Sequence, residues 1–169
     1  MPKFSANIAT LFTERPFLQR AAAAKQSGFA AIEMQFIHEM PLDDLVRAKE
    51  EAGLALAVFN LPAGDLTSGG PGLAAMPDRR RAFREAVDQA VGMAKRLAPV
   101  NVNILPGWPP AELDRDACWR TMVENVAVAA DALGEVGVRV VVEALNIRDR
   151  PGAFLSTSDQ VLALIDESN

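Results

Sequence analysis

The sequence predicts an α/β protein in which helices cover a parallel sheet. Short apolar segments alternate with helical segments five times along the 169 residues, and this order builds a parallel sheet through crossover helices. The segment 138–142 holds four valines in five residues, a β-branched run typical of a parallel strand buried on both faces. Glycines follow two of the helical segments directly, at the position where a residue that tolerates positive φ ends a helix.

The five predicted strands are short runs in which apolar residues dominate until a polar residue ends the run. The first strand closes on Asn7, the second carries Glu33 near its end, and the third stays apolar until Asn60. The fourth contains Asn103, and the fifth ends at Glu143. Their bounds are 4–8, 29–34, 54–60, 100–105 and 138–143.

The predicted helices rest on helical spacing and on their end residues. The helix 14–27 carries an alanine run and stops at Gly28, and the next begins at Pro41, whose fixed φ suits a first turn. Apolar residues at helical spacing predict helices over 79–97 and 118–134. Thr157 or Ser158 caps the last helix, which extends to residue 165. The loop 61–78 is long and rich in glycine and proline, as functional or mobile loops are.

Composition narrows the class of protein. The chain is half hydrophobic, 23% charged and has a net charge of -5, which predicts one globular domain with no nucleic-acid partner. Its basic cluster, 79–81, is the solvated first turn of a helix. No apolar run is long enough to span a bilayer, and residues 1–5 lack the apolar core of a signal peptide. Cys118 is the single cysteine, so no internal disulfide forms and a cytoplasmic location is expected.

Glu143 is the most informative residue for function. A carboxylate at the carboxyl end of a parallel strand lies where α/β proteins place their active sites, although a solvated loop residue is the alternative. Polar residues also follow the other strands and would share that rim. The rim candidates are Asn7, Glu33, His38, Asn60, Asp65, Asn103, Glu143, Asn146, Arg148, Asp149 and Arg150.

Several motifs resemble hydroxypyruvate isomerase and its relatives. They lie in the same order at 4–7, 11–18, 59–65, 143–155 and 158–160. The resemblance implies a xylose isomerase-like TIM barrel, with about five of the eight (β/α) units present. It implies reversible conversion of hydroxypyruvate to tartronate semialdehyde, or isomerisation of a related 2-oxo acid sugar. It also implies a divalent metal, Mg²⁺ or Mn²⁺, with Glu143 as metal ligand and as the acid/base carboxylate.

The chemistry of the reaction indicates which further residues bind the substrate, a small keto acid. Isomerisation needs a base that moves a proton through an enediolate, and an arginine binds a carboxylate in bidentate fashion. We therefore predict that Asn7, Asn60, Asn103 and Arg148 bind substrate, while Arg150 stays open between substrate binding and a surface role. His38 is the only histidine, and a loop histidine is the simpler interpretation. Relatives commonly carry a histidine at the Asn103 position of the fourth strand. Asn103, unlike a histidine, cannot act as an acid or a base near neutral pH.

Three alternatives remain open at this point. The chain ends after the fifth unit, and the family's other metal ligands lie beyond it, so a catalytically inactive fragment that binds or self-associates competes with the enzyme. Uncovered edges and an inner face rich in valine and leucine would then favour a homo-oligomer. A complete five-stranded, flavodoxin-like domain also suits the strand count. A metal-dependent phosphodiesterase is disfavoured by the acidic balance, and the glycines at 69–72 do not fit dinucleotide binding.

Overall fold

The computed structural model describes residues 4–169 and contains a five-stranded, fully parallel sheet. The prediction about a signal peptide at residues 1–5 falls partly on residues 1–3, which lie outside the described part. The strands pair in chain order, β1-β2-β3-β4-β5, with β1 and β5 at the edges. Their bounds are Ser5–Asn7, Ala31–Met34, Ala55–Asn60, Asn101–Ile104 and Arg139–Val142.

This strand order decides between the two parallel architectures that the sequence left open. In a flavodoxin-like sheet the order is 2-1-3-4-5, because the chain reverses direction across the sheet at a switch point. Here every crossover leads to the next strand on the same side, which is how the wall of a (β/α) barrel grows. The flavodoxin-like alternative is therefore wrong, and the prediction of TIM-barrel (β/α) units is confirmed.

Five α-helices follow the strands, one in each crossover and one after β5. They are α1 (Arg20–Gln26), α2 (Leu42–Ala52), α3 (Arg80–Leu97), α4 (Arg115–Gly134) and α5 (Ser158–Ser168). Short 3-10 turns precede α1 and α3 and lie within the loop after β3. The predicted capping of α5 is confirmed, since Thr157 and Gln160 form a reciprocal capping box.

Two predicted helix starts were wrong. The first helix begins at Arg20 and not at residue 14, because Phe12 adopts a positive φ of 59° and Pro16 is extended, so the chain between them turns. The fourth begins three residues earlier than predicted, at Arg115. There the Asp114 side chain accepts a hydrogen bond from the Asp116 N–H at 3.1 Å and caps the helix.

The helix-facing side of the sheet forms the hydrophobic core. Alternate strand residues such as Ile32, Phe59 and Val102 are almost fully buried, and they pack in one cluster with helix residues such as Phe83 and Met122. Burial of each large side chain of this kind contributes about 1.5–3 kcal/mol. The core therefore holds the five strands and their helices together and sets the position of the loops at the strand ends.

The opposite, inner side of the sheet is polar, which corrects the expectation of a valine- and leucine-rich surface. Because side chains alternate along a strand, β4 directs Val102 and Ile104 to the helices and places Asn101 and Asn103 on the inner side. There the Asn101 amide donates to the Ala57 carbonyl at 3.1 Å, and the Ser5 hydroxyl donates to Glu33.

The strand β5 is not buried on both faces as the valine run predicted. Val141 is 37% exposed, and Arg139 is exposed as well. The reason is that β5 lies at the edge of the sheet and pairs with β4 alone. Among the residues described, no helix has the length and hydropathy needed to cross a membrane.

Candidate active site

A cavity of about 440 Å³ opens at the carboxyl ends of β2 to β5. We call it the rim cavity, and each of these four strands or its following loop contributes to its wall. The lining residues are Gln35, Phe36, Asn60, Leu66, Thr67, Gly69, Leu105, Trp108, Glu143, Leu145 and Arg150. The position is the one at which parallel sheets with helices on their outer side assemble active sites.

A second cavity of about 240 Å³ lies against the inner face of the sheet. This inner cavity shares Gln35, Asn60 and Glu143 with the rim cavity and extends to Glu33, Asn101 and Asn103. The two cavities thus meet at Asn60 and Glu143, which lie at the ends of β3 and β5.

Three polar side chains from neighbouring strands form a hydrogen-bonded chain where the cavities meet. The Asn103 amide nitrogen donates to Glu143 Oε2 at 2.8 Å and to Asn60 Oδ1 at 3.1 Å. Asn60 and Asn103 are buried, with 7% and 6% of their surface exposed. Glu143 is exposed, but its exposed surface faces the two cavities and its Oε2 is held by Asn103.

The carboxylate determines how the two amides are oriented. A carboxylate accepts hydrogen bonds, so the Asn103 amino group must face Glu143, and the Asn60 oxygen must face Asn103. The Asn60 amino group then makes no hydrogen bond within the described residues and is available to a bound molecule. The Asn103 oxygen is buried and has no hydrogen-bond partner among residues 4–169, which costs about 1–3 kcal/mol of stability. Such a cost is typical of residues kept for function and not for stability.

The structure brings some predicted site residues together and separates others. Asn60, Asn103 and Glu143 form one cluster, as described above. Asn7 lies at the end of β1, where its side chain accepts the Ala9 N–H at 3.0 Å and shapes a turn, and it lines neither cavity. Arg148 is exposed and lines neither cavity, whereas Arg150 lines the rim cavity. Substrate binding by Asn7 and Arg148 stays a prediction.

His38 lies away from both cavities. Its Nδ1 is buried without a hydrogen bond in the described residues, and its carbonyl accepts the Gln89 amide at 3.2 Å. The sequence interpretation of a loop histidine agrees with this position.

Hydrogen bonds between loops hold the wall of the rim cavity in place. The Trp108 N–H donates to the Pro71 carbonyl at 3.2 Å, which ties the loop after β4 to the loop after β3. The Phe154 N–H donates to the Gly107 carbonyl at 2.9 Å, which ties the loop after β5 to the loop after β4. Sequence reasoning missed Gln35, Thr67 and Trp108 as lining residues, although the position of Trp108 in the loop after the predicted strand 100–105 was a usable signal.

Asp65, which the sequence placed among the rim candidates, instead organises the loop after β3. Its Oδ1 accepts hydrogen bonds from the Arg79 guanidinium at 2.8 Å and from the Gly72 N–H at 3.1 Å. Arg79 also donates to the Gly72 carbonyl at 3.2 Å. The Arg79 hydrogen bond is the main cause that lowers the pKa of the Asp65 carboxyl. Asp65 thereby anchors the loop that supplies Leu66, Thr67 and Gly69 to the cavity wall.

Asp65→Asn is expected to lower the free energy of unfolding at pH 7 by at most about 1 kcal/mol, because the ion pair is partly exposed. A carboxyl with a lowered folded pKa stabilises the fold above its unfolded pKa, near 4, and loses that effect as the pH falls through its folded pKa. The difference from wild type should therefore shrink between pH 5 and pH 3 in urea unfolding. Asp88→Asn, on an exposed position of α3, is the control; an equal loss at both pH values would contradict the role of Asp65.

The described residues offer limited ligands for a divalent cation. Within residues 4–169 no group of three or more His, Cys, Asp or Glu side chains could hold a metal ion. Among the residues described, Glu143 is the one carboxylate that lines the rim cavity, whereas Ca²⁺, Mg²⁺ and Mn²⁺ take about six oxygen ligands. These residues supply one anionic ligand, so they do not fit a resident cation that is held by protein groups alone.

Comparison with known proteins gives consistent matches. Residues 21–169 match a family described as xylose isomerase-like TIM barrel. The chain is 38% identical over 167 residues to 2-oxo-tetronate isomerase of Cupriavidus necator and 35% identical over 167 residues to hydroxypyruvate isomerase of Escherichia coli. Both alignments cover 99% of this chain but only 64% and 65% of the relatives. The chain therefore spans just under two thirds of their length.

A solved structure shows the same arrangement of strands and helices. The crystal structure described as AP endonuclease, family 2, from Brucella melitensis superimposes with a TM-score of 0.95 and 37% sequence identity. The match covers 100% of this chain and 65% of that one. The five β/α units described above are thus also present in that crystal structure.

Proposed function

This chain belongs to the xylose isomerase-like TIM barrel family, and we propose that it carries out hydroxypyruvate isomerase-like chemistry on a small 2-oxo acid. The reaction interconverts hydroxypyruvate and tartronate semialdehyde, or the corresponding pair of a related 2-oxo acid sugar. The observation that carries this proposal is the Glu143 carboxylate, held by Asn103 at 2.8 Å and open to the rim cavity. The names of the two relatives, both 2-oxo acid isomerases, support the same substrate class.

The proposed mechanism uses Glu143 as the group that moves the proton. In hydroxypyruvate the C3 hydrogens lie next to the C2 carbonyl, so a base that removes one of them forms an enediolate. Transfer of the hydroxyl proton from the C3 oxygen to the C2 oxygen, together with return of the first proton to C2, gives tartronate semialdehyde. The Asn103 amide leaves one Glu143 oxygen, Oε1, without a partner in the described residues, and that oxygen is the one that would accept the proton.

The rest of the site binds and polarises the substrate in this proposal. The free amino group of Asn60 lines the cavity and donates to a substrate oxygen. Mg²⁺ or Mn²⁺ stays a proposal: with Glu143 as the one protein carboxylate and with substrate and water oxygens as further ligands, such a cation would stabilise enediolate charge. The backbone hydrogen bonds of Gly107 and Trp108 hold the loops of the cavity wall together.

An assay of proton exchange tests the proposal. When the protein is incubated with hydroxypyruvate in D₂O, we expect the C3 proton signal to decay faster than in a sample with heat-denatured protein. Exchange should exceed net formation of tartronate semialdehyde, because exchange needs only the removal and replacement of a C3 proton, whereas net formation also needs proton transfer to C2 and between the two oxygens. The assay is repeated with added Mg²⁺ and with Mn²⁺. No exchange above the blank, with hydroxypyruvate or with 2-oxo-tetronate, would rule out the proposed chemistry for this chain.

A second candidate function is binding or self-association without catalysis. It is favoured by one observation: Glu143 is the sole carboxylate of the rim cavity in the described residues. Self-association is supported by the open edges of β1 and β5 and by the exposed apolar side chains Leu162 and Ile165 on α5. We therefore propose a homo-oligomer.

A cytoplasmic location is proposed on the single, buried Cys118, which forms no disulfide within the chain.

The phosphodiesterase alternative receives less support. The Brucella melitensis structure is described as an AP endonuclease. However, the described residues contain no cluster of metal-binding side chains, and the chain has one histidine and a net charge of -5. A basic surface would be expected for a DNA-binding enzyme.

A further inference from the structure

We propose that Arg150, and not the neighbouring Arg148, binds the substrate carboxylate and selects 2-oxo acids over neutral ketoses. This inference rests on the proposed function, because it names the group that recognises the substrate at the same cavity. It starts from the charges on the cavity wall. In the described part of the chain, Glu143 and Arg150 are the only charged residues that line the rim cavity. Isomerisation of a keto acid needs a cation that binds the carboxylate and a base that removes the proton next to the carbonyl. Arg150 and Glu143 supply one of each.

Arg150 is available for this role. Seven ion pairs occur in the described part of the chain, and they involve arginines such as Arg79, Arg80 and Arg96. Arg150 takes part in none of them, and no hydrogen bond engages its guanidinium within residues 4–169. An arginine that lines a cavity and whose guanidinium has no partner among the described residues is suited to bidentate binding of a carboxylate.

The backbone around Arg150 is held in place. The Arg150 N–H donates to the Asn146 carbonyl at 2.9 Å, and the Arg150 carbonyl accepts the Ala153 N–H at 3.2 Å. At the next residue, the Phe154 N–H donates to the Gly107 carbonyl in the cavity wall. The backbone from which the Arg150 side chain extends is therefore fixed by hydrogen bonds to the cavity wall. The substrate does not have to order this part of the loop when it binds.

Asn146 also accounts for the different position of Arg148. Its side-chain oxygen accepts the Arg148 N–H at 2.8 Å, and its amino group donates to Asp149 at 2.7 Å. These bonds form a tight turn over 146–150. Both arginines are exposed, but Arg150 lines the rim cavity whereas Arg148 lines neither cavity. The two arginines are two residues apart and chemically identical, so each serves as the control for the other.

The experiment measures binding of two ligands of equal length by titration calorimetry, with the full 169-residue chain. Hydroxypyruvate carries a carboxylate, and dihydroxyacetone replaces it with a neutral CH₂OH group. We expect the wild type to bind hydroxypyruvate at least tenfold more tightly than dihydroxyacetone. Arg150→Gln should remove about tenfold or more of the affinity for hydroxypyruvate and leave that for dihydroxyacetone unchanged. Arg148→Gln should change neither affinity by more than about twofold.

Each other outcome has a defined meaning. Equal losses in both variants, or a loss in Arg148→Gln alone, would overturn the assignment of Arg150. A loss of both ligands in Arg150→Gln would assign it a packing role instead. Selective binding through Arg150 without any proton exchange would uphold this inference while the proposed catalysis fails. If the wild type binds neither ligand, both the role of Arg150 and the proposed function are wrong. Near-UV circular dichroism checks that both variants keep the wild-type fold.

Discussion

Replacement of Glu143 by glutamine is expected to reduce deuterium exchange at C3 of hydroxypyruvate by at least about 100-fold, because a positioned general base contributes about 10²–10⁴-fold. Glutamine has nearly the same shape, and its side-chain oxygen can still accept the hydrogen bond from Asn103. The cavity should therefore keep its geometry, while the group that takes up the proton is lost. Exchange followed by ¹H NMR in D₂O gives the rate for both proteins.

The stability of the Glu143→Gln variant separates chemistry from folding. Because Glu143 is exposed and at the end of an edge strand, we expect its free energy of unfolding to change by less than about 1 kcal/mol. Glu33→Gln is the comparison, since Glu33 lines only the inner cavity and bonds to Ser5. It should retain exchange within a few-fold of wild type. Exchange that persists in Glu143→Gln would remove Glu143 from the mechanism and with it the main argument for the enzyme.

Gly107→Ala is expected to destabilise the fold by about 2–5 kcal/mol, from a positive-φ cost of about 1–2 kcal/mol and an overpacking cost of about 1–3 kcal/mol. Gly107 has a φ of +73°, which side chains with a Cβ adopt at a cost. A Cβ at this position would lie 2.3 Å from the Pro71 carbonyl oxygen, a backbone atom that cannot rotate away. Urea unfolding at pH 7 measures the loss.

The same substitution should also disturb the rim cavity. The Gly107 carbonyl holds the loop after β5, and the adjacent Trp108 N–H holds the loop after β3, so a shift at Gly107 moves both walls. We therefore expect weaker binding of hydroxypyruvate in Gly107→Ala under conditions where the protein remains folded.

Gly92→Ala is the matched control for this effect. Gly92 lies inside α3, and a Cβ there meets nothing within 4 Å. This variant should be more stable than wild type by about 0.5–1 kcal/mol, because alanine favours the helix. If Gly107→Ala behaved like Gly92→Ala, the close contact with Pro71 would not exist in solution.

Much of the fold could be predicted from local patterns. The runs 138–142 and 54–60 form β5 and β3, and the cap predicted at Thr157 or Ser158 is Thr157. The position of Glu143 at the carboxyl end of its strand followed from the same patterns. The start of α1 was missed because Phe12 adopts a positive φ, and helical propensity gives no sign of such a backbone conformation.

The sequence by itself determined the α/β class, the order of strands and helices, and the presence of polar residues at the strand ends, because these depend on periodicity and on neighbouring residues. Only the tertiary structure decided the sequential strand order, the polar inner face, the Asn60–Asn103–Glu143 chain and the choice of Arg150 over Arg148 for the cavity wall. The physical reason is that these features depend on register and on contacts between residues far apart in the chain. A turn such as 146–150 can reverse the direction of a side chain within two residues, and no local pattern records which way it faces.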